Sequence, residues 1–162
     1  MKHSTILLVV FLAAVSTSLA QSHSFRALEN KFSSADEVYS FETSGFLART
    51  VLWLAGEHEF NRAIKKVKNI RLITIPKSAF AEQGLSVEGF TKVLNNDAFH
   101  ELANARDHGD HVVVYLQTLK NSSNNRYFVL IDNPDEVVAV EIKGHIDITL
   151  LNNKGQNPSY KL

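Results

Sequence analysis

Asp107-His108-Gly109-Asp110-His111 is the stretch of this chain richest in groups that do chemistry. Two imidazoles and two carboxylates are ligand types that suit zinc or another divalent cation. His108, Asp110 and His111 are therefore the candidate metal ligands. A protein zinc site takes at least three side chains that converge, and the sequence names no ligand outside the string. Asp, Gly and His are also what a solvated turn uses, and the string leads into an apolar, strand-like run. The expectation is a turn, with no resident metal or cofactor.

Other groups weaken on the same test. Glu57, His58 and Glu59 are acid–base types side by side. General acid–base work needs convergence in space, and neighbours on a helix point apart. They read as carboxylates at a helix start, favoured by the helix dipole. Arg62, Lys65, Lys66, Lys68 and Arg71 interrupt an apolar period and read as the solvated face of a helix. Trp53, the one tryptophan, is expected in the core, with an interface as the alternative. Asn121-Ser122-Ser123 matches a glycosylation triplet and reads as a polar turn. The chain has no Gly-rich phosphate loop, no G-x-S-x-G, no H-E-x-x-H and no cysteine. No catalytic residue is assigned.

Met1-Lys2-His3 is a short basic start, Ile6–Val15 is an unbroken apolar run, and Ser18-Leu19-Ala20 is a small-x-small site before Gln21. That is the layout of a cleavable secretory signal, expected over 1–20. The apolar run is too short for the ~20 residues that span a bilayer. No later stretch of the mature chain is long and apolar enough to span. Of 17 basic and 17 acidic residues only Lys2 leaves with the leader, so the mature chain is close to neutral. Neutrality gives no electrostatic argument for nucleic acid or an anionic membrane. The lack of cysteine rules out disulfides and a lipid anchor on cysteine. The expected product is exported, periplasmic or secreted.

The elements that would carry these groups follow from periodicity. Apolar residues at 25, 28 and 32 give a helix over Phe25–Phe32. Glu37–Thr43 alternates as a strand. Phe46–Ala55 and Glu59–Lys68 read as helices, and Asn69–Ile75 as a strand stopped by Pro76. Ser78–Asn96 is helical with a break near Gly84, where Ser86 can cap the second part. Phe99–Arg106 fits helix or strand equally. His111–Leu119, Arg126–Ile131 and Glu136–Ile142 are β-rich runs joined by polar turn formers, hence consecutive antiparallel hairpins. Ile146–Leu151 reads as a short closing helix and 152–162 as a polar tail. Helices early and a meander late point to an α+β, two-layer sandwich. It would be one domain over 21–151, a mainly antiparallel sheet with helices on one face.

With the elements in order, several short signatures stand out. The strand Asn69–Ile75, then Phe99-His100-Glu101-Leu102, then the hairpin His111–Ile131, then Val138–Asp147 with its I-x-G-x-I-D ending follow one another. Together with the leader they resemble the bacterial domain-of-unknown-function family DUF4252, found mainly in Bacteroidetes, over roughly Phe25–Leu151. The resemblance implies a small exported or lipid-anchored envelope protein with no assigned activity. It carries no family catalytic residue onto this chain. Many members have a lipidation cysteine after the signal, and this chain has none.

Function is then expected to be that of a non-enzymatic interaction module of the cell envelope, contacting an envelope protein or ligand through an uncovered sheet face or an edge strand. The alternative is a hydrolase or metal-dependent enzyme built around residues 107–111. That alternative requires those side chains to converge in a pocket.

Overall fold

The computed structural model describes residues 21–54, 62, 64–120 and 124–146, with the side chains of 51–54 outside the description. The leader, the 152–162 tail, the triplet 121–123 and the Glu57–Glu59 group lie outside these residues. So does Ile146–Leu151 beyond Ile146 itself.

Among the described residues ten elements follow in order: α1 (His23–Phe32), β1 (Tyr39–Ser44), α2 (Gly45–Leu54), β2 (Lys66–Pro76), α3 (Lys77–Glu82), α4 (Val87–Asn96), β3 (His100–Asp107), β4 (Asp110–Thr118), β5 (Asn125–Asp132) and β6 (Glu136–His145). The fold class is α+β. The six strands form one sheet in the order β1-β2-β6-β5-β4-β3, and every neighbouring pair is antiparallel. The expected β4-β5-β6 meander is present and extends back to β3. Phe99–Arg106 resolves as a strand because pairing with β4 gives its backbone a ladder. Local periodicity carries no information about that partner.

One expectation is corrected. Lys66–Lys68, read as the end of a helix, opens β2 and pairs with β6 through Lys66↔His145 and Val67↔Gly144. Tertiary pairing overrides a helical apolar spacing here. Gly144 makes the crossing feasible: its φ is +144°, and a Cβ there would sit 2.5 Å from the Lys66 carbonyl oxygen.

α1, α3 and α4 cover one face of the sheet. α1 presents Phe25, Leu28 and Phe32, and α4 presents Val87, Phe90 and Leu94, each row at helical spacing. Ser22 and Ser86 cap these two helices, accepting from Phe25 N at 3.1 Å and Gly89 N at 3.0 Å. Below them lie Ile73, Ile75, Val113, Tyr115, Phe128, Leu130, Val137 and Ala139. Phe128 is the hub. Its ring meets Phe25 at 6.2 Å, Phe90 at 5.7 Å and Phe99 at 5.7 Å, in tilted or edge-on geometries that suit aromatic quadrupoles.

Candidate functional site

The Asp107–His111 string forms the β3–β4 hairpin. Asp107 pairs with Asp110, which leaves His108 and Gly109 as the two loop residues. Their φ angles are +46° and +101°. Two-residue hairpin loops with positive φ at both central positions match the twist of the flanking strands. The string is thus explained by turn geometry. His108 is 95 % exposed, with its Nδ1 against the Asp107 carboxylate. Asp110 is exposed, and the half-buried His111 bonds Asn104 at 2.9 Å. An open hollow of about 540 Å³ beside the turn also reaches Glu88, Arg106 and Asp132. Of these, Asp132 is already paired with Lys77. Among the described residues no three His, Cys, Asp or Glu side chains are grouped to hold a metal ion.

The basic cluster divides. Lys65, Lys66 and Lys68 are exposed, Arg62 is exposed, and Arg71 is buried on β2. Trp53 belongs to α2, with its side chain outside the description.

Arg71 instead belongs to a polar network at one end of the helix-covered face. Its guanidinium donates to Glu141 at 3.1 Å and to Glu42 at 2.8 Å. The Ser22 backbone N–H donates to both Glu141 oxygens, at 3.0 and 3.3 Å. Ser24 N donates to Asp97 Oδ2 at 2.7 Å. Two carboxylates thus accept from the first N–H groups of α1, where orphan donors and the helix dipole favour negative charge. Glu141 is 1 % exposed and its oxygens are filled by protein donors, so the network anchors α1 to the sheet.

Glu42 is the solvent-facing member of this network. Burial alone would raise its pKa. Hydrogen bonds from Arg71 and Asn69, with the Arg71 charge, outweigh that and hold it below the ordinary carboxylate value. A carboxylate whose pKa is lower in the folded state stabilises above its unfolded pKa, and loses that contribution as pH falls through the folded value. Glu42→Gln is therefore expected to flatten the acid limb of a Tm-against-pH series, with little change near neutrality.

The other face of the sheet is the larger feature. Register aligns its side chains into three ladders across all six strands. The first runs His100, Leu116, Tyr127, Ile142, Ile70, Thr43; the second Ala103, Val114, Val129, Val140, Leu72, Phe41; the third Ala105, Val112, Ile131, Val138, Thr74, Tyr39. These ladders contain no Asp, Glu, Lys or Arg. None of their residues belongs to the core under the helices, and among them only Tyr127 is buried. Tyr39 is 72 % and Phe41 61 % exposed, and Phe46 and Leu47 of the adjoining α2 are exposed as well. An antiparallel sheet with one solvated face ordinarily alternates apolar and polar residues. This one places its charged strand residues on the helix side or at strand ends.

Sequence reasoning expected an uncovered sheet face or an edge strand as the contact surface but named no residues for it, although their signal is present. Val112–Leu116, Tyr127–Ile131 and Val137–Val140 are apolar at every position. Strands that read as continuous apolar runs are covered on both faces.

No curated protein and no solved structure matches this chain. Among the described residues no helix is long and apolar enough to cross a membrane. A family model described as "Domain of unknown function (DUF4252)" matches residues 32–153, from the end of α1 through all six strands. That span takes in most of the chain and the whole of every strand from β1 to β6: the chain belongs to the DUF4252 family.

Proposed function

We propose that this chain is an exported, non-enzymatic interaction module that works by docking through the open face of its sheet. The uncharged three-ladder face carries the reading. Soluble monomers seldom expose contiguous apolar patches beyond a few hundred Å², and a surface of that kind is used for contact. The secretory layout of Met1–Ala20 supports export, and the absence of cysteine supports a product without a thiol-linked lipid. The 107–111 turn lines an open hollow, but its titratable groups are accounted for by hairpin geometry, which supports docking over the hydrolase alternative.

The test is capture from envelope extract by the immobilised mature chain, residues 21–162. The wild type is expected to enrich a defined binder, a second copy included. Val140→Lys, which places a charge in the middle ladder, is expected to lose it. Equal capture by both proteins would contradict the reading, as would the absence of any binder.

A further inference from the structure

We infer that the occupant of the open face is a second copy of this chain, so that two sheets pack face to face with the helices outermost. This deepens the docking reading above and rests on it. Three observations select a copy over an unlike partner.

The first is electrostatic. A two-fold contact sets each patch against a copy of itself, so a net charge on the patch would repel its partner. Eighteen ladder positions without a carboxylate, lysine or arginine remove that repulsion. The chain as a whole has a formal net charge of +0, so two copies approach without long-range repulsion. A face shaped for an unlike charged partner would carry complementary charge.

The second is area. Six strands at ~4.8 Å spacing and three ladders about 6.8 Å apart, each counted with its own width, give a plan of roughly 29 by 20 Å per copy. That is about 590 Å² in projection. Twice this area reaches the ~1,000 Å² that a specific interface should clear.

The third is shape. The ladders are dominated by Val, Ile and Leu, the residues that interdigitate when two sheets pack about 10 Å apart with strands aligned to within about 30°.

The experiment is sedimentation of the mature chain over a wide concentration range, with Val140→Lys and Phe41→Asp beside the wild type. Phe41 sits on an edge strand and is 61 % exposed, so its substitution leaves the core alone. Circular dichroism melts check that both variants fold. The expected result is a dimer whose Kd rises about thirty-fold or more in each variant, the range for a residue central to binding.

Other outcomes overturn the inference. A dimer indifferent to both variants places the contact elsewhere. A monomer that binds 1-anilinonaphthalene-8-sulfonate, with binding lost in Val140→Lys, leaves the face open for an unlike partner. The docking reading then survives and the second copy does not. A monomer that co-sediments with phosphatidylcholine vesicles gives the face to a lipid surface. A monomer that binds neither probe has the face covered within its own chain, and both readings fall.

Discussion

Glu141→Ala is expected to lower stability by about 3–5 kcal/mol, the cost of breaking a buried ion pair by removing one partner. For a domain of this length that is a fall in Tm of roughly 10–15 °C. The size follows from what the substitution strands. Arg71 is 3 % exposed and would keep its charge with only the half-exposed Glu42 to pair it. The Ser22 N–H at the start of α1 would lose its acceptor while Ser22 itself is 1 % exposed. A buried donor without a partner costs about 1–3 kcal/mol on its own. The double change Arg71→Met with Glu141→Leu should recover much of the loss, because apolar groups of similar volume replace a buried pair at little net cost. Chemical denaturation of the three proteins measures this. A Glu141→Ala variant as stable as the wild type would show that the carboxylate does not anchor α1.

The second large effect compares two neighbours on one strand. Phe128 and Val129 are consecutive on β5 and point to opposite faces. Phe128→Ala is expected to cost about 3–5 kcal/mol, the range for removing a fully buried phenylalanine. Three aromatic rings converge on it, so its removal strips all three of a shared packing partner. Val129→Ala, in the middle ladder of the open face, should cost about 1 kcal/mol or less in dilute protein. Its larger effect is on association. Equal and large losses of stability for both variants in dilute protein would mean that the open face is packed inside a single chain.

How far the sequence foretold this molecule depends on which interactions were local. α1 and α4 were legible because their signals sit within one helix: apolar spacing and a serine cap. The β4-β5-β6 meander was legible because short polar connections join its strands. Two things escaped. β3 and the start of β2 take their conformation from partners distant in sequence, β4 and β6, and a window of local periodicity does not hold those partners. The network of Ser22, Arg71 and Glu141 unites three segments, so Arg71 read as one more surface base. At the candidate site, Asp107–His111 drew notice through residue type, yet its φ angles account for it as a hairpin turn. The open face was written in Val112–Leu116, Tyr127–Ile131 and Val137–Val140. Its meaning emerges only when register stacks those runs into uncharged ladders.

Cysteine labelling tests the docking face most directly, because the chain has no cysteine of its own. A single thiol at Val129→Cys reports the open face, and one at Phe128→Cys reports the core beside it. The expected result is rapid labelling of Val129→Cys in dilute buffer and marked protection on concentration or on addition of envelope extract. Phe128→Cys should stay protected throughout. Labelling of Val129→Cys at one rate under all these conditions, fast or slow, would contradict the claim that this face is where the protein makes contact.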